Sequence, residues 1–241
     1  MSGAANGAPR ISAIIPTWQE ADWITGSVAA AQAIADEVLV ADGGSSDGTP
    51  DIARRAGALV VAAPRGRGRQ LATGARAASG DVLLFIHADT HLPREARAAM
   101  LRALMDPSVV GGNFFLRFDP PTRVGQLFTR VYDLRRRALA VYYGDSPLFV
   151  RRRVYERLGG FPEQALFEDH AFIRRLERAG RTAYVRDVVA KSSSRRYEQR
   201  PLRTLALWAA LQSAYSLGAP PDWLARWYAV VRAPQRGTRR S

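Results

Sequence analysis

Short, almost wholly apolar runs alternate with stretches of helical periodicity along most of this chain. The runs at 11–17, 38–41, 58–62 and 82–86 have the length of strands, and their lack of polar alternation is that of strands buried on both faces. Between them, 24–35 is rich in alanine with apolar residues at helical spacing, and 50–56 and 71–78 complete a βαβαβαβ order. Beyond residue 90 the pattern predicts a helix over 94–105 and a strand over 109–118 with one wetter face. A helix over 123–143 follows, with Val124, Leu127, Phe128, Val131, Leu134 and Leu139 as its apolar stripe. A strand at 147–150, helices at 153–158 and 171–179, and a strand at 181–189 close the pattern. Such alternation predicts an α/β protein with a mostly parallel central sheet flanked by helices. Pro16 is expected to stop the first strand, since it has no N–H to give to a ladder.

Residues 1–10 read as a flexible tail and 11–200 as one domain. Residues 201–232 form an amphipathic helical extension, split at Gly218-Ala219-Pro220-Pro221, and 233–241 a basic tail. Trp208, Trp223, Trp227 and Tyr228 lie among arginines in the extension, which suits either docking on the core or contact with a membrane interface.

Composition narrows the chemistry. There is no cysteine, which removes disulfides, thiolate metal sites and cysteine nucleophiles. The net charge is +13 and Lys191 is the one lysine, so the positive charge is nearly all arginine, whose fork matches phosphates. No run reaches the ~20 apolar residues that a membrane-spanning helix needs. A cytoplasmic protein, in peripheral contact with the inner membrane face or not, is the expectation.

Candidate chemistry gathers where strands end, which is where open α/β sheets place ligands. The buried run 82–86 delivers His87 and Asp89 two residues apart, and an Asp there can hold a divalent cation against a phosphate. Asp42 opens the loop Gly43-Gly44-Ser45-Ser46-Asp47-Gly48-Thr49, whose glycines let a ligand approach and whose Asp47 and Thr49 suit a turn and a helix cap. Arginines alternate with glycine in Arg65-Gly66-Arg67-Gly68-Arg69, which reads as a phosphate cradle at a helix start or as a solvated basic turn. Glu168 and Asp169 open a helix, where the dipole favours carboxylates. Behind apolar Phe161 and Phe167, Asp169 is also a candidate general base.

Four segments in order carry a family resemblance: Ile14-Ile15-Pro16-Thr17 with Glu20; Asp42 to Thr49; Gly80-Asp81 leading to His87-Ala88-Asp89; and Gly159-Gly160-Phe161 with Glu168-Asp169. Over residues 11–200 the chain resembles the family 2 glycosyltransferases, inverting enzymes with the GT-A nucleotide-binding fold. The resemblance implies a nucleotide-sugar donor, a divalent cation (Mg²⁺ or Mn²⁺) on its diphosphate held by Asp89, and Asp169 as base beside Glu168. It places Pro16, Thr17, Glu20, Asp42, Arg69, His87 and Ala88 around the donor. Asp145, in Gly144-Asp145-Ser146, and Arg196, in a loose echo of an Arg-Trp motif, join the substrate-binding set. His87 stands where the family usually has the first Asp of its Asp-X-Asp motif. That variant resembles a subgroup of short bacterial members associated with radical SAM proteins. The acceptor is a small metabolite, a peptide product, a lipid or a glycan; nucleic acid is not expected. Two other functions remain open: a nucleotidyltransferase acting on a small phosphorylated metabolite, and a basic protein that binds anionic surfaces without catalysis.

Overall fold

The computed structural model describes residues 7–139, 146–193 and 201–232. The elements are β1 (Ile11–Thr17), α1 (Ala21–Gln32), β2 (Glu37–Asp42), α2 (Thr49–Arg55), β3 (Leu59–Ala62), α3 (Arg67–Ala77), β4 (Val82–Phe85), β5 (Thr90–His91), α4 (Glu95–Ala103), β6 (Val109–Asp119), α5 (Arg123–Leu139), β7 (Leu148–Arg151), α6 (Arg152–Arg157), α7 (Glu168–Ala179), β8 (Arg181–Ser193), α8 (Pro201–Ser216) and α9 (Pro221–Arg232). One sheet runs in the order β3-β2-β1-β4-β7-β6-β8-β5. Its first four strands are mutually parallel. β7 is antiparallel to both β4 and β6, β8 is parallel to β6, and β5 is antiparallel to β8. The sheet is therefore mixed, and only its β3-β2-β1-β4 half is a continuous parallel stack.

Strand periodicity divides the core between two faces. Ile11, Ala13 and Ile15 of β1 and Val82 and Leu84 of β4 pack with Ile24 and Val28 of α1 and Met100 of α4. Their neighbours Ile14, Leu83 and Phe85 point the other way, onto Leu71 of α3 and Phe172, Ile173 and Leu176 of α7. Each fully buried Ile or Leu contributes roughly 1.5–3 kcal/mol, so both helical layers are held by the same central strands. Contrary to the reading of Pro16 as a stop, β1 continues through it to Thr17, pairing Pro16 with Ala41. The last β1–β4 pair is Ile14 with Phe85, so Pro16 lies where the ladder on that side has already ended.

α3 begins at Arg67, four residues before the expected Leu71. Gly66, at φ 134°, turns the chain into the helix, a conformation that a side chain would strain. The C-terminal helices α8 and α9 pack on the domain through Leu211 and Leu224, which are buried with Phe167. None of the described helices is long and apolar enough to cross a membrane.

Candidate active site

The C-terminal ends of β1, β2 and β4 open onto one edge of the sheet, and the loops that leave them build the first half of the site. Asp42 ends β2 and is buried. Its Oδ1 accepts from Thr17 Oγ1 at 3.0 Å and Ser45 Oγ at 2.6 Å. Its Oδ2 accepts from the Gly44 and Ser45 amides at 2.9 and 2.8 Å. The carboxylate thus ties the glycine loop to the end of β1. Gln19, at φ 57°, joins that loop to the β1–α1 turn: its amide donates to Ser45 Oγ at 2.9 Å and its Oε1 accepts from the Ser46 amide at 2.8 Å. Buried Gln70 of α3 clamps the two strand ends from below, donating to the Thr17 and Ala41 carbonyls at 2.6 and 3.0 Å. Asp47 and Thr49 act as turn and cap: Asp47 Oδ1 accepts from both the Thr49 hydroxyl and the Thr49 amide. That hydroxyl contact leads the groups that draw the Asp47 carboxyl below its ordinary range. Half-buried Glu20 donates its amide to Thr49 Oγ1 at 2.9 Å, and half-buried Pro16 sits just before Thr17.

After β4 the chain turns sharply, with the Thr90 amide on the His87 carbonyl. The turn is pinned from both sides. The Ala88 carbonyl accepts from the Ser27 hydroxyl of α1, and the Asp89 carbonyl from the Ser193 amide of β8 at 3.2 Å. The two-residue strand β5 then pairs with Ser192 and Lys191. Asp89, 7% exposed, is held by this double anchorage at the mouth of the sheet.

The second half of the site comes from α7. Phe167 precedes that helix at φ 62°, a left-handed conformation that costs a bulky residue roughly 1–2 kcal/mol. Stacking on Tyr215 of α8, at 4.6 Å between ring centroids, holds it there. The turn sends Glu168 and Asp169 inward, and both are buried. Burial pushes the Glu168 carboxyl above its ordinary range, Arg67 opposing and Asp169 adding to the rise. Burial likewise lowers His170, against the pull of Asp169.

Arg67 joins the halves. Its Nη1 donates to Glu168 Oε1 at 2.8 Å and to Asp169 Oδ2 at 3.2 Å, and its Nη2 lies 3.0 Å from His87 Nε2. Leu148, Phe85 and Phe161 lie under this polar group as an apolar floor. Gly68 makes the arrangement sterically possible, because a Cβ there would sit 2.8 Å from Glu168 Cγ. Of the residues expected from sequence, the structure therefore brings His87, Glu168 and Asp169 together, and Thr17 with Asp42. Arg69 is exposed on another side of α3, near Pro64, Arg76 and Glu163. Asp145 and Arg196 lie outside the described residues. Arg67, Gln70 and Gln19 were not singled out from sequence; the available signal was the arginine–glycine alternation, which holds Arg67 but does not rank it over Arg69.

Among the described residues no three His, Cys, Asp or Glu side chains gather to hold a metal ion. The Asp89 carboxylate is a hard oxygen donor, and such a single ligand fits Mg²⁺ or Mn²⁺ when phosphates and water complete the shell.

Residues 12–159 match the family model described as Glycosyl transferase family 2. No curated protein matches the sequence. Among solved structures, a mannosyltransferase from Pyrobaculum calidifontis, in complex with GDP-Man and Mn²⁺, is 23% identical at a TM-score of 0.63, over 94% of this chain and 70% of that one. Glucosyl-3-phosphoglycerate synthase from Mycobacterium tuberculosis, in complex with Mn²⁺, UDP and glucosyl-3-phosphoglycerate, is 22% identical at 0.63, over 88% and 80%. Mannosyl-3-phosphoglycerate synthase from Rubrobacter xylanophilus is 20% identical at 0.63, over 95% and 78%. At these identities the likeness establishes a shared fold.

Proposed function

The chain belongs to glycosyl transferase family 2, and from that premise we propose that it transfers a sugar from a nucleoside-diphosphate sugar to an acceptor hydroxyl with inversion at the anomeric carbon. Asp89 is the residue that would hold a divalent cation against the donor's diphosphate, and a cation there would supply neutralisation of the leaving group's charge. Asp169 accepts the acceptor's proton as its oxygen attacks the anomeric carbon and the bond from that carbon to the phosphate oxygen breaks. Glu168 lies beside Asp169, and Arg67 holds both carboxylates before the donor binds. Asp42 keeps the glycine loop in shape for the base and ribose, and lines that pocket at the end of β2.

The observation that carries the reading is Arg67, one guanidinium that touches both a buried carboxylate pair and the turn bearing Asp89. The relatives solved with UDP or GDP-Man and Mn²⁺ support a nucleotide-sugar donor and a cation. The acceptor is a small hydroxyl compound by the same analogy. Thermal melting with UDP or GDP plus Mn²⁺ tests the reading. A cation-dependent rise in Tm, abolished by Asp89→Ala, is expected, together with a variant Asp169→Asn that binds nucleotide and transfers no sugar. No shift with any nucleotide and cation, or full activity in Asp169→Asn, refutes it.

Peripheral contact with anionic membrane is a second reading, favoured by Trp223 and Trp227, 58% and 41% exposed on α9 beside Arg226. Co-sedimentation with phosphatidylserine vesicles that is lost in Trp223→Ser/Trp227→Ser supports it, and no sedimentation of the wild type ends it.

A further inference from the structure

The contacts of Arg67 pose a chemical problem for a base at Asp169. A carboxylate that accepts an acceptor's proton must present a lone pair to that hydroxyl. Here Asp169 Oδ2 faces Arg67 Nη1 at 3.2 Å, its Oδ1 accepts from the His170 amide at 2.6 Å, and Glu168 shares the same guanidinium at 2.8 Å. Exposure is uneven across the cluster. The Arg67 side chain is 29% exposed, whereas the carboxylate side chains are 7% and 12% exposed. The Arg67 side chain is therefore more accessible than either carboxylate it binds.

From this geometry we infer that Arg67 is a positioning residue with two stations. It covers the Glu168–Asp169 pair while the donor is absent, and it passes to the donor's diphosphate when the donor binds, opening the carboxylates to the acceptor. The inference rests on the function proposed above. The move is short, because the guanidinium already contacts His87, two residues from Asp89. Its fork suits phosphate as well as carboxylate, and a diphosphate offers more negative charge than the pair it leaves. Arg67 lies in the first turn of α3 on a long side chain, so the backbone does not have to move. The consequence is an order of events: donor first, then an available base, which guards against removal of a proton when there is no sugar to receive the oxygen.

Two-station behaviour makes a prediction that a purely structural ion pair does not. Glu168 competes with the diphosphate for Arg67, so Glu168→Gln should tighten nucleotide binding. Binding of UDP and GDP, each with Mn²⁺, is measured by titration calorimetry for wild type, Glu168→Gln, Arg67→Met and the double variant, with melting curves to confirm folding. Gln still accepts from Arg67, so exchanging a charge-assisted for a neutral hydrogen bond corresponds to about a fivefold to tenfold lower Kd in Glu168→Gln. In the Arg67→Met background the same substitution should change Kd by less than about twofold. Unchanged affinity in Glu168→Gln overturns the inference. So does equal tightening in both backgrounds, which would mean simple charge repulsion between Glu168 and the phosphates. If Arg67→Met leaves two carboxylates unneutralised and does not fold, the double variant removes one of them; it should bind more weakly than Glu168→Gln, and equal affinity overturns the inference. A wild type that binds neither nucleotide refutes the proposed function itself, and the two-station role with it.

Discussion

Gly68→Ala puts one methyl group into the joint between α3 and α7. The new Cβ would lie 2.8 Å from Glu168 Cγ, 3.1 Å from Glu168 Cβ and 3.3 Å from the Pro162 carbonyl oxygen. Carbon atoms in contact rest about 3.6 Å apart, so the closest pair must separate by about 0.8 Å. Rotating Glu168 about χ1 relieves the Cγ contact and leaves the other two, so the start of α7 has to give. Two opposing energies apply. In an α-helix Ala is favoured over Gly by roughly 1 kcal/mol, whereas overpacking costs about 1–3 kcal/mol. The net expectation is a change between zero and about 2 kcal/mol of destabilisation, a fall of up to ~8 °C in Tm for a chain of this size. The effect on chemistry is larger, because a shift of about 1 Å in a reacting group can cost about a hundredfold in rate. Release of nucleoside diphosphate in the presence of acceptor reads kcat, and differential scanning fluorimetry reads Tm. A Tm raised by ~2–4 °C, as helix propensity alone predicts, with kcat within about twofold of wild type would refute the packing argument.

Leu211→Ala removes a fully buried side chain from the small core under α8 and α9; docking of the two helices should weaken by about 2–5 kcal/mol. Hydrogen exchange should show lost protection across α8 and unchanged protection in β1 and β4, and uniform loss would mean that the helices do not form a separate unit. His170 gives a pH dependence. Burial keeps it below its ordinary pKa near 6.5, so the unfolded chain binds more protons as the pH falls through that value. The stability it contributes is therefore complete above about pH 6.5 and declines on acidification toward its folded pKa. The urea midpoint of wild type should fall more between about pH 7 and about pH 5 than that of His170→Gln, and parallel curves would remove His170 from the account.

The sequence read most clearly where burial imposes a period. Val82 to Ile86 has no polar position because both its faces are covered, and the alanine-rich 24–35 segment places Ile24 and Val28 at helical spacing on one core. Orientation was not legible. Nothing local to 147–150 says that β7 runs against β4, since antiparallel and parallel neighbours bury the same side chains. The start of α3 was hidden for a related reason. Arg67 and Gly68 read as a loop because glycine disfavours helix, yet glycine is needed to admit Glu168, a residue 100 positions later. Arg67 lies 101 and 102 positions from its carboxylates. His87, Glu168 and Asp169 could be nominated one by one from strand ends and helix starts, but the guanidinium that gathers them could not. Asp42 shows the converse: its residue type and place suggested a contact with ligand, and the four hydrogen bonds it accepts add a structural task that no local signal shows.

The joint at Gly68 also bears on how such a chain can be recombined. The family match stops at residue 159, before the Glu168–Asp169 pair and before the aromatic contacts of Phe167 with Tyr215. A chimera that exchanged everything after that point would keep the glycine loop, the Asp89 turn and α3 from one parent. It would take the carboxylates and the terminal helices from the other. Such a graft succeeds only if the incoming helix arrives with a residue that fits the small notch over Gly68 and can meet the guanidinium beside it. Positions 67 and 68 are thus one part of the mating surface, beside the ladders that β8 of the second half must complete with β6 and β5 of the first.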